Sequence, residues 1–178
     1  VNAINSFAAE HPDESVCFFA FDADPRYGYV IFAFDTLENN IRSAKKMEEY
    51  TTQTRTEQLT QKRYWNRAMY TLCHPPVSVF NTNSGDFAFS QYAEVKFPEW
   101  ETLVKSADYP KRVERDDDYL DSNARILFWN VAQRLVSENA FKVLAMATPF
   151  IIGYGIHDGE EQILRVLNWP SATPKNAS

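Results

Sequence analysis

The groups in this chain with the most chemical potential are one acidic run, three separated histidines and two cysteines. Asp116, Asp117 and Asp118 stand together, and Asp121 lies three residues further on. Carboxylates so spaced offer oxygen ligands to magnesium or calcium. The run lacks the glycine and the distal glutamate of a calcium loop, however. Consecutive acids repel one another and belong in water, so the plain reading is a solvated surface. The functional reading is a face that recognises a basic protein partner through complementary charge.

A transition-metal site needs three or four ligands brought together, and His11, His74 and His157 come with no closely spaced cysteine pair. His157 and Asp158 could form half of a facial triad. The simpler reading is that His157 ends a strand and Asp158 caps a helix. Cys73 adjoins His74, but neighbours in sequence rarely turn their reactive atoms together. Neither Cys17 nor Cys73 sits at a visible helix N-terminus that would lower its pKa. The chain has no nucleophile elbow, phosphate loop or dinucleotide-binding glycine pattern. No catalytic residue, metal ligand or cofactor is therefore assigned. An enzyme reading, a small hydrolase or nucleotide-binding enzyme using His74, His157 and Asp158, stands as the lesser alternative.

The 178 residues carry 18 basic and 24 acidic side chains, a net charge of -6. A nonspecific nucleic-acid binder needs a concentrated basic surface. Arg42, Lys45, Lys46, Arg55, Lys62, Arg63 and Arg67 make the middle of the chain locally basic, but Glu38, Glu48, Glu49 and Glu57 interrupt them. Phosphate contacts require convergence rather than abundance, so nucleic acid is not expected as a partner. No run approaches 18 apolar residues, and VNAINSFAAEHPDE has neither a basic nor an apolar leader segment. Two cysteines are too few for a disulfide framework, which implies reduced thiols and a cytoplasmic home.

The elements that must position these groups are organised around Val16 to Asn40. Val16 to Asp22 is apolar on both faces and reads as a central strand. Asp24-Pro25-Arg26-Tyr27-Gly28 is the turn, and Tyr29 to Phe34 the return strand of a hairpin. Asp35 and Glu38 have the spacing of a capping box, which predicts a helix with Leu37, Ile41, Ala44 and Met47 or Glu48 on one face. Ala3, Ile4, Phe7 and Ala8 predict an N-terminal helix beside the first strand, ended by His11-Pro12. Tyr50 to Thr60 reads as a loop or a weak helix. Leu59 to Leu72 carries a second helical stripe, and Val77 to Phe80 with Phe87, Phe89 and Tyr92 a second hairpin. Pro98 opens a helix carrying Trp100, Leu103, Val104 and Ala107.

Lys111 to Asp121 is expected as an exposed loop. A helix capped by Asp121 or Ser122 then carries Leu120, Ala124, Leu127, Phe128, Val131 and Leu135 on its buried face, with Trp129 and Val136 widening the apolar side. On that reading Leu127→Ala costs about 2–5 kcal/mol. Phe150 to His157 is a late strand whose two glycines mark a bulge or a close neighbour. Asp158 to Glu161 has a second capping-box spacing, predicting a helix through Ile163, Leu164 and Leu167. Together these elements predict an α+β or mixed α/β fold. It would have an antiparallel-containing central sheet, an early hairpin and covering helices, in one compact domain over 1–170 with a loose tail at 171–178.

The order HPDE, FFAFD, a turn, FAFDTLENN, then a late IIGYGIHDGEEQ and a closing LNWP resembles the bacterial domain-of-unknown-function family 4303. That family often carries an asparagine-threonine-glutamate pattern after the second strand, where this chain has Asp35-Thr36-Leu37-Glu38. Thr36 and Glu38 therefore take no role beyond cap and first turn. The resemblance implies a small α/β protein of toxin-immunity neighbourhoods, with no catalytic residues to carry over. It implies a binding protein whose partner is a protein toxin or another basic protein. A generic protein-interaction module is the second alternative.

Overall fold

The computed structural model describes residues 1–24, 28–60, 81–99, 102, 117–156 and 162–168, with backbone alone for 51–60, 117–123 and 156. They fall into two compact units, Val1–Leu37 with Thr82–Ser178, and Glu38–Asn81.

The first unit is built on strand β1 (Val16–Asp24), buried along its whole length. It pairs antiparallel with β2 (Tyr29–Thr36), with Ala20 opposite Ala33 and Asp24 opposite Tyr29. Gly28 closes the turn at φ 68°, a value that glycine takes without a Cβ clash. β2 pairs antiparallel with β3 (Phe89–Lys96). On the other side of β1 lies β4 (Met146–Ile156), and beyond it β5 (Gln162–Leu167). The strand order is β3-β2-β1-β4-β5, so β1 is the central strand. The fold is mixed α/β: an antiparallel-containing central sheet with an early hairpin and flanking helices.

The late strand joins this sheet as expected, but it runs parallel to β1. A parallel neighbour needs a crossover rather than a tight turn. The chain makes it between β3 and β4, a stretch that includes helix α3 (Asp117–Ser137). The register between β4 and β5 shifts at Ile152/Gly153, where the glycines predicted a bulge.

One face of the sheet carries Phe19, Phe21, Val30, Phe34, Phe150, Ile152 and Tyr154. Against it pack helix α1 (Asn2–Glu10), α3 and the 3-10 turn Ala140–Val143. The Phe128 ring lies 5.0 Å from Phe21 and stacks on Tyr154 at 4.9 Å. Phe7 of α1 stacks on Phe34 at 4.1 Å and meets Phe89 edge-on, so α1 lies towards β2 and β3 as well as β1. Aromatic pairs in these geometries add about 0.5–1.5 kcal/mol each beyond their burial. The His11 N–H donates to the Phe7 carbonyl at 2.8 Å and closes α1 just before Pro12.

Four sequence expectations are corrected. Asp35 does not cap a helix: it is the penultimate residue of β2, and helix α2 (Leu37–Thr60) starts two residues later. Pairing with β1 holds the backbone extended through Thr36 and overrides the cap spacing. In α2, Ala44 is buried as its spacing predicts, but Ile41 and Met47 are exposed and the polar Asn40 is buried in their place. Gln162–Leu167 is a strand rather than a helix, because Ile163, Val166 and Leu167 complete a ladder on β4. Asp117, Asp118 and Asp121 belong to α3 rather than to a loop, and neither Asp121 nor Ser122 is its cap.

In the second unit α2 runs on through Tyr50 to Thr60 as a helix. The Asn40 amide donates to the Asn81 carbonyl at 2.8 Å and accepts from the Asn81 N–H at 3.1 Å, a two-point clamp between residues 41 positions apart. The expected helix over Leu59 to Leu72 and the strand over Val77 to Phe80 lie largely or wholly outside the described residues. Phe89 and Tyr92, expected in the second arm of a hairpin, lie in β3, which is paired with β2.

Candidate functional site

Helix α3 brings the predicted acidic residues into one element. Asp117, Asp118 and Asp121 occupy its first five positions, while Asp116 lies outside the described residues. Acids favour this end because the free N–H groups and the helix dipole present partial positive charge there. Counting repelling charges along the sequence missed this, and a loop was expected where a first turn forms.

Further along α3, Ala124, Phe128, Ala132 and Leu135 are buried, and Val131 is half-buried beside them. Leu127 is 42% exposed on the flank of that stripe, so it is not the core residue its spacing predicted. Ile126 and Trp129 are 61% and 42% exposed, which places two large apolar side chains in solvent on one helix. At 100° per residue, Asp118, Ser122, Arg125 and Trp129 occupy positions on one side of the helix, away from the buried stripe. The Arg165 guanidinium of β5 lies 5.9 Å from the Trp129 ring centroid, close enough for a cation–π contact that steadies the indole. Sequence reasoning placed Trp129 on the widened apolar side of the helix, and the exposed apolar pair is what it missed.

A second group of acids lies inside the first unit. Asp22, Asp24 and Asp35 are all buried and point to the sheet face opposite the phenylalanine core. Asp35 Oδ1 accepts from the backbone N–H groups of Thr36 and Ala88, each at 3.0 Å. Asp22 Oδ2 accepts from the Ser84 hydroxyl at 3.3 Å. These two carboxylates therefore hold the Asn83–Ala88 segment, whose 3-10 turn Ser84–Asp86 is capped by the Asn83 side chain. Phe87 packs on Phe18 at 4.9 Å from the same segment. The visible signal was an acid breaking an apolar strand, in FFAFDAD and again in FAFDT.

Cys17 is fully buried beside this group, and burial together with the charge of Asp35 pushes its thiol up to about 12. A thiol so protonated at neutral pH is neither a nucleophile nor a metal ligand. Among the described residues no group of three or more histidine, cysteine or acidic side chains is placed to hold a metal ion. His74, Cys73, His157 and Asp158 lie outside the described residues. No described helix is long and apolar enough to cross a membrane.

Set against protein-family models, curated proteins and solved structures, the chain matches none. Its own side chains carry the functional argument.

Proposed function

We propose that this chain is a non-enzymatic, cytoplasmic protein-binding protein that engages a basic protein partner through helix α3. The observation that carries this reading is the exposure of Ile126 and Trp129 on the helix whose first turns hold Asp117, Asp118 and Asp121. Exposed aromatic and aliphatic anchors have the make-up of a protein interface, where anchors supply affinity, and Asp118, at a helical position on the side of Trp129, would add charge that supplies rate and selectivity. We further propose that this partner is a bacterial protein toxin that the chain neutralises, as the resemblance of its FFAFD and FAFDTLENN segments to family 4303 implies. The buried thiol Cys17 is in keeping with a reducing compartment.

The test is affinity purification of the full chain from its native cell, with the Trp129→Ala variant in parallel. A stoichiometric basic protein recovered with the wild type and depleted at least tenfold with Trp129→Ala supports the proposal. Equal recovery by both chains, or no basic partner at native abundance, counts against it.

A further inference from the structure

A cavity of about 200 Å³ opens within the first unit, between α1, α3 and the sheet. Its floor is Phe19 and Phe21 of β1 with Phe32 of β2, and its walls include Ile4 of α1 and Leu127 and Val131 of α3. All 12 of the described residues that line it are apolar, and five are phenylalanines.

Protein interiors are packed to crystal-like density and hold few voids larger than a water molecule. The pocket is partly open to solvent, so water can enter it, but its apolar lining offers that water almost no hydrogen-bond partner and favours its displacement by an apolar group. A charged ligand would lose its hydration with no partner in return. Dry cavities of about 150 Å³ lined by leucine, isoleucine and phenylalanine hold a single benzene ring, so this one is large enough for one ring with a small substituent. The phenylalanines offer both faces and edges to such a ring. Leu127 gives a route in, because it borders the cavity and is still 42% exposed. An exposed side chain of this kind changes rotamer within picoseconds to nanoseconds.

We propose that this cavity is a binding site for a small neutral molecule of the single-ring aromatic class. It lies on the core-facing side of α3, on different side chains from Ile126 and Trp129, and so does not depend on the protein partner.

The experiment is a titration of the methyl-labelled full chain with benzene and with indole, followed by NMR. The proposal expects saturable shifts confined to the methyl groups of Ile4, Val30, Leu127, Val131 and Leu135, and a raised thermal midpoint at saturation. Benzoate, the charged counterpart, should leave the same methyl groups unmoved. Val131→Phe fills the space and should weaken benzene binding at least tenfold. Leu127→Phe, at a half-exposed position that tolerates change, is the second variant and should weaken it likewise if Val131→Phe does not fold. No saturable shift up to the solubility limit of benzene would overturn the proposal, as would contacts in the free protein showing those methyl groups already covered by the chain itself. Binding of benzoate as strong as that of benzene would overturn the ligand class.

Discussion

A buried carboxylate is costly unless its oxygens are hydrogen-bonded, and Asp35 meets that condition with two backbone N–H donors at 3.0 Å. Asp35→Ala leaves both donors without that acceptor and should destabilise the protein by about 2–4 kcal/mol in urea unfolding. Asp35→Asn keeps one acceptor oxygen and should cost measurably less, and equal losses would mean that the N–H groups do not depend on this side chain. Cys17 makes a pH prediction. Its thiol is raised in the folded state from an ordinary 9.0 to about 12, so between those values the unfolded chain has lost a proton that the native one keeps. Stability contributed by the neutral thiol is complete below pH 9 and falls as pH rises, at up to about 1.4 kcal/mol per unit. Unfolding curves at pH 8 and pH 10.5 should show a steeper loss for the wild type than for Cys17→Ala, and parallel losses would refute the assignment. Cys17 was legible as a core thiol and Asp22 as part of a strand covered on both faces, whereas Asp35 was read as a helix cap. The hydrogen-bond partners of the two aspartates were not legible, because Ala88 and Ser84 lie 53 and 62 positions from Asp35 and Asp22.

Helix α3 illustrates at the scale of an element what periodicity can and cannot tell. The repeat of apolar residues at three and four correctly marked Ala124, Phe128 and Leu135 as buried, yet it also admitted Leu127, which sits at the edge of the stripe. Phe128, held between Phe21 and Tyr154, should lose about 3–5 kcal/mol on truncation to alanine. Leu127→Ala, at a half-exposed site, should cost no more than about 1–2 kcal/mol, below the sequence-based expectation. Chemical unfolding of the two variants side by side decides the order, and a larger loss at Leu127 would invert the assignment of the buried face. The β1–β2 hairpin was legible because its apolar runs and its Asp24–Gly28 turn agree with each other. The segment Gln162–Leu167 was not, since its isoleucine and leucines suit a helix face as well as a strand. The choice was made by a partner strand that local sequence cannot name. Asp35 failed as a cap for the same reason, because β1 holds its backbone extended.

At the scale of the whole molecule, a net charge of -6 gives the surface a field that attracts basic proteins, and the carboxylates of α3 are gathered in its first five positions. Asp117, Asp118 and Asp121 lie at a helix N-terminus, so their replacement has two separable effects. Changing them to asparagine together with Asp116 removes the favourable interactions of Asp117, Asp118 and Asp121 with the helix dipole, each worth about 0.3–1 kcal/mol, and so lowers stability slightly whatever the partner does. If the same residues steer a basic partner, the quadruple variant should also associate more slowly, by about tenfold or more at low salt. The gap between variant and wild type should then shrink as salt is raised, because screening removes the advantage that the carboxylates confer. The dissociation rate should change little, since anchors such as Trp129 rather than marginal charges hold a formed complex. Association kinetics of the purified pair at two ionic strengths, with the stability of each chain measured alongside, keep the dipole effect apart from the steering effect. An unchanged association rate in a variant that is still folded would remove these four carboxylates from the interface and leave Asp117, Asp118 and Asp121 with a role in the helix alone.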